Sequence, residues 1–276
     1  MKISDFKLGL GTWMVGDDVS KRAFEIEVIR QAVNNGIRVI DTAEMYGGGR
    51  SESLIGEAIK LFRREEVYIV SKVYPHNAGF KNMEKSCLNS LKRLDVDYLD
   101  LYLLHWRGGI PLEETVAAFE SLKAKGYIRD WGVSNFDVDD MEELWAVPDG
   151  SKCVANQVLY HIGERGIEYD LISWLYKHNV TLMAYSPLGS NLSYRQKILN
   201  SPQVQQVAKR HNASVYQIML AFAIRHPNSI AIPKTSSPSH LRENIESLNI
   251  TLDQTDLELI DLAFPPPKKK YPLGII

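Results

Sequence analysis

Eight times along the 276 residues, a short apolar run rich in β-branched side chains gives way to a stretch with helical periodicity. This alternation leaves little choice of fold, because βα units in series bury their strands in a parallel sheet and lay their helices over it. The candidate strands run from Lys7 to Gly11, Val39 to Thr42, Val67 to Lys72, Leu99 to His105, Ile128 to Ser134, Val154 to Val158, Thr181 to Ser186 and Ile230 to Lys234. Between them, Met83, Cys87, Leu88, Leu91 and Leu94 recur at three- and four-residue spacing, as do Leu112, Val116, Phe119 and Leu122, each set expected to lay one face on the sheet. Eight units in a row predict an α/β fold, a single (β/α)8 TIM barrel entered through an N-terminal strand and closed by a short C-terminal tail. No linker or shift in composition divides it, so residues 1–276 are expected to form one domain.

The formal net charge is -2, which argues against a nucleic-acid partner or an acidic membrane surface. No apolar run is long enough to span a bilayer, and Met1 to Gly11 lacks the basic and apolar blocks of a signal peptide, so a cytoplasmic location is expected. Cys87 and Cys153 have no CxxC spacing and read as buried free thiols, and no metal site is expected. Oligomeric state is not legible.

In a barrel of this kind the active site gathers at the C-terminal ends of the strands. There the candidate strands carry Asp41, Lys72, His105, Asn135, Gln157 and Lys234. Taken singly, each has an ordinary structural explanation as a turn cap, a surface charge or a satisfied histidine.

Taken together with their neighbours, they resemble the aldo-keto reductase superfamily. The resemblance rests on Gly9-Leu10-Gly11-Thr12, Asp41-Thr42-Ala43 with Tyr46-Gly47, Ser71-Lys72, Leu103-Leu104-His105-Trp106 and Gly132-Val133-Ser134-Asn135-Phe136. It continues through Asn156-Gln157, the run Ala184 to Ser190 and Ile232-Pro233-Lys234, and so covers nearly the whole chain. It implies reduction of small aldehydes or ketones with NADP(H), and possible use of NAD(H). Asp41, Tyr46, Lys72 and His105 would form the catalytic tetrad. Tyr46 is then the proton donor, made more acidic by Lys72; Asp41 holds Lys72 charged, and His105 aligns the carbonyl oxygen.

The resemblance also implies a cofactor site. Gly11, Thr12 and Trp13 would contact it, Ser134, Asn135 and Gln157 would bond the carboxamide, Tyr185 would stack on the nicotinamide, and Ser186, Leu188 and Ser190 would line the pyrophosphate path. Lys234, Thr235, Ser236, His240, Glu243 and Asn244 would take the adenosine phosphate, with Ser237 as N-cap and Pro238 as first residue of a helix whose N-terminus favours anions. Many NADP-preferring members carry arginine where this chain has His240, and histidine as a residue type offers less charge at neutral pH. Gly47-Gly48-Gly49 lacks a dinucleotide fingerprint and reads as a turn.

Trp13, Tyr74, His76 and Trp106 follow strand ends and are candidate substrate walls, although His76, in the loop after Lys72, reads at least as readily as a solvent-exposed histidine. The tail Pro265 to Ile276 is expected to be too short for a lid, with Lys268-Lys269-Lys270 a solvated patch. Two other functions fit a similar barrel: a cofactor-binding redox-sensing or scaffolding subunit, and an aldolase using Lys72 as a Schiff base.

Overall fold

The computed structural model describes Met1–Ile276. Its eight strands are β1 (Gly9–Gly11), β2 (Val39–Asp41), β3 (Tyr68–Val73), β4 (Leu99–Leu104), β5 (Ile128–Ser134), β6 (Ala155–Leu159), β7 (Thr181–Tyr185) and β8 (Ser229–Ile232). They pair in chain order, every pair parallel. Bridges from Leu8 to Ala231 and from Gly11 to Lys234 join the last strand to the first. At that seam a Cβ on Gly11 would lie 2.7 Å from the Ile232 carbonyl oxygen, so glycine is what lets the two edges meet.

The helices are α1 (Arg22–Asn34), α2 (Arg50–Ile59), α3 (Phe80–Leu94), α4 (Leu112–Ala124), α5 (Val138–Ala146) and α6 (Leu171–Lys177). They continue as α7 (Leu192–Leu199), α8 (Pro202–Arg210), α9 (Val215–Ala223), α10 (Pro238–Glu246) and α11 (Gln254–Ala263). Three helices, not one, connect β7 to β8. The expected faces of α3 and α4 are buried with one correction: Leu88 is 41% exposed, since it falls off the arc that Met83, Cys87, Leu91 and Leu94 share. Both cysteines are buried free thiols.

Two apolar clusters hold the molecule together. The larger fills the layer between strands and helices; the smaller is the barrel interior, with Val39, Val70, Leu101, Leu103, Ala155, Met183, Tyr185, Ile230 and Ile232. Alternation along a strand then sets what points inward above them. Two residues beyond Val39, Val70, Leu103, Ala155 and Ile232 stand Asp41, Lys72, His105, Gln157 and Lys234. The same parity that packs the interior therefore aims these polar side chains at one mouth.

The strand ends shift from expectation in both directions: β3 and β6 run one residue further, to Val73 and Leu159, while others stop one or two residues short. β4 stops at Leu104, leaving His105 in the loop beyond, and β8 stops at Ile232, leaving Lys234 beyond it, because Pro233 has no N–H to continue that ladder.

Candidate active site

Asp41 and Lys72 meet at the floor of the mouth. The Lys72 ammonium, fully buried, donates to Asp41 Oδ2 at 2.8 Å, to the Thr42 carbonyl at 2.7 Å and to the Tyr46 hydroxyl at 3.1 Å. Burial alone would depress its pKa; Asp41, helped by Tyr46, overcomes that and holds it above the ordinary lysine value. Asp41 is braced from the far side of the barrel, where Gln157 Nε2 donates to its Oδ1 at 2.7 Å. Removing one partner of such a pair strands a buried charge, at a cost of about 3–5 kcal/mol.

Tyr46 arrives on a tight turn through Gly47-Gly48-Gly49. Gly47 has φ 59°, and a Cβ there would lie 2.6 Å from Asp17 Oδ1, so the turn that presents Tyr46 requires glycine. Lys72 is expected to make Tyr46 more acidic, and its charge does pull the phenol pKa down. The structure reverses the net direction: burial raises the phenol pKa, and the opposing pull of Lys72 offsets only part of that rise. Tyr46 therefore stays protonated at neutral pH. Since an ammonium can only donate, the Tyr46 oxygen accepts from Lys72, and its own proton has no acceptor in the structure.

His105 faces the Tyr46 ring edge-on, with centroids 6.0 Å apart. Burial, with a smaller push from Lys72, drives its pKa down to about 3, so the imidazole is neutral. Its Nδ1 is buried without a partner. Across the mouth, the Tyr185 hydroxyl donates to Asn135 Oδ1 at 2.9 Å, and Ser134 Oγ donates to the Gln157 carbonyl at 2.8 Å. Asn135 and Ser186, both lining the mouth, have positive φ, 58° and 48°.

These groups open into a cavity of about 1120 Å³. Asp41, Tyr46 and His105 face it, with Gly11, Thr12, Trp13, Ser134, Asn135, Gln157, Tyr185, Ser186, Leu188 and Ser190. Lys234, Thr235, His240, Glu243, Asn244 and Trp106 line it too. Lys72 lies beneath the floor. Ser237 caps α10 as expected, its Oγ accepting from the His240 N–H at 3.4 Å. Ser236 does not reach the cavity but accepts from Lys234 Nζ at 3.1 Å. Tyr74 is not a wall either; it stacks on exposed His76 and meets Trp106 edge-on at 6.0 Å, backing the wall rather than forming it.

The tail departs most from expectation. Lys270 is no free surface charge: it donates to Asp137, the N-cap of α5, at 2.5 Å and to Asp170, ahead of α6, at 2.8 Å. So pinned, the chain turns back and sets Pro272, Leu273, Ile275 and Ile276 into the cavity wall. Arg107, Arg195 and Tyr216 also line the cavity without having been singled out in the sequence.

A parallel eight-stranded barrel with this buried Asp-Lys-Tyr-His group at its mouth defines a class of oxidoreductase. The Aldo/keto reductase family matches residues 7–263, and the chain belongs to it. Among its relatives, methylglyoxal reductase YeaE of Escherichia coli (strain K12) is 47% identical over 98% of this chain and 94% of its own. Glyoxal reductase of Bacillus subtilis (strain 168) is 36% identical over 85% of this chain and 82% of its own. An aldo/keto reductase from Klebsiella pneumoniae, crystallised with NADP and acetate, superposes with a TM-score of 0.95 at 46% identity, covering 98% of this chain and 95% of that one.

Proposed function

We propose that this protein reduces small reactive aldehydes, 2-oxoaldehydes such as methylglyoxal foremost, to alcohols at the expense of NADPH. The observation that carries the reading is the Tyr46 hydroxyl, fed by Lys72 at 3.1 Å and holding an uncommitted proton beside His105. Similarity to methylglyoxal and glyoxal reductases supports the substrate class.

The residues present fit a nicotinamide dinucleotide. Gln157 commits its amide N–H to Asp41 and keeps Oε1 to accept from a carboxamide, Tyr185 offers a ring face at 9% exposure, and the N-terminus of α10 with Lys234 offers an anion site. When bound, the reduced nicotinamide supplies hydride to the carbonyl carbon. Tyr46 gives its proton to the carbonyl oxygen, and the phenolate left behind is stabilised by the Lys72 ammonium that already touches it. The bare lone pair of His105 suits the unpartnered Nδ1, which leaves Nε2–H to donate to the same oxygen. Asp41 keeps Lys72 charged, and Trp13, Trp106 and the tail exclude water. A fully buried ammonium with three oxygen partners is a poor amine nucleophile, which disfavours the Schiff-base alternative. Residues 1–276 serve this chemistry as one domain, since the groups come from strands spread along the chain.

Nicotinamide absorbance decay with methylglyoxal, glyoxal and simple aldehydes, run with NADPH and NADH in parallel, tests the reading. Turnover with NADPH is expected, with a narrowed preference over NADH because His240 replaces an arginine. Tight NADPH binding with no turnover on any carbonyl would overturn it.

A further inference from the structure

We propose that Arg195 is the cation that receives the diphosphate of the bound dinucleotide, an assignment that rests on the cofactor reading above. Arg195 stands in α7, just past the loop that leaves β7. Its Nε donates to the Leu188 carbonyl at 3.0 Å and its Nη2 to the Gly189 carbonyl at 2.9 Å. Both partners are neutral, so its charge is uncompensated by any carboxylate among its hydrogen-bond partners. A guanidinium has five N–H groups; these bonds use two, and the side chain lines the cavity.

The other basic residues at the cavity are placed or spent differently. Arg107 is paired with Glu143 at 2.7 Å, while Lys234 and His240 stand on the β8 side, where the adenosine phosphate is expected. The nicotinamide end is set by Tyr185 and Asn135, so the loop from Ser186 to Ser190 runs along the middle of the molecule they would hold. Left bare, two carbonyl oxygens in that loop would repel a diphosphate. Arg195 turns them to itself, and the same stretch then presents positive charge in fork geometry suited to phosphate oxygens. The charge is felt locally: together with burial, it helps push the pKa of His161 down to about 4.

The test compares two ligands on wild type, Arg195→Ala and Arg195→Lys, by quenching of tryptophan fluorescence, since Trp13 and Trp106 line the cavity. NADP+ carries the diphosphate; adenosine 2′-monophosphate carries the ribose phosphate without it. Arg195→Ala is expected to weaken NADP+ by about 10-fold or more, to leave adenosine 2′-monophosphate within about two-fold, and to flatten the salt dependence of NADP+ binding. Arg195→Lys should recover the salt dependence and part of the affinity. Unchanged NADP+ affinity in Arg195→Ala, or equal losses on both ligands, overturns the assignment. A wild type that binds no NADP+ overturns the cofactor reading and this assignment together.

Discussion

Tyr46 illustrates how burial and charge compete at one atom. Lys72 favours the phenolate, yet the desolvation that makes the site selective works against it more strongly, so the resting hydroxyl is a loaded donor rather than a partly ionised one. The ammonium matters after proton transfer, when it faces an anion at contact distance. Tyr46→Phe removes the hydroxyl, and with it both the donated proton and one acceptor of the Lys72 ammonium, which keeps Asp41 and the Thr42 carbonyl; it should lower carbonyl reduction by about 10²–10⁴-fold while leaving the dissociation constant for NADP+ nearly unchanged. Single-turnover reduction at near wild-type rate would remove Tyr46 from the role. Asp41, Lys72 and His105 were legible in the sequence because strand parity and motif agree on them. Arg195 was not, because a lone arginine in a helix after a loop looks like any solvated arginine until its carbonyl partners are known.

At the scale of elements, the tail shows what charge patterning conceals. Three consecutive lysines ordinarily read as a solvated patch, and nothing local separates Lys270 from its neighbours. Its two carboxylate partners come from loops 133 and 100 residues away in sequence. An ion pair this exposed adds under about 1 kcal/mol to stability, so its value lies in where it holds Pro272 to Ile276. Lys270→Ala should therefore raise KM for aldehyde several-fold, with little change in melting temperature and a smaller effect on kcat. An unaltered KM would mean that the tail keeps its place without the clamp.

For the whole molecule, two buried histidines, His105 and His161, and the half-buried His226 tie the fold to pH. His105 is depressed to about 3, and His161 and His226 to about 4, each chiefly by burial. In the unfolded chain a histidine takes its proton near its ordinary value of about 6.5. As pH falls from there toward about 4, the unfolded state binds more protons than the folded one, so stability declines through that window, by up to about 1.4 kcal/mol per histidine per pH unit. Chemical denaturation from neutral pH down to that limit should show the midpoint falling steadily; a flat midpoint would contradict neutral burial of these side chains. Cys87 and Cys153, pushed up to about 12 by burial, should contribute no titration in the same range.

The order of strands and helices, the barrel and the inward-facing polar ends were determined by the sequence itself, because they follow from local periodicity: alternation along strands, recurrence along helices, and proline or glycine where either must stop. Leu88 marks the limit of that logic, since spacing alone assigned it to a face it does not share. What the tertiary structure decided are the contacts with no local period. They are the bracing of Asp41 by Gln157, the retreat of Tyr74 behind Trp106, the net pKa of Tyr46, the capping of two carbonyls by Arg195 and the clamp on Lys270. Each depends on distance and dielectric between groups far apart in the chain, and those quantities exist only once the chain has closed on itself.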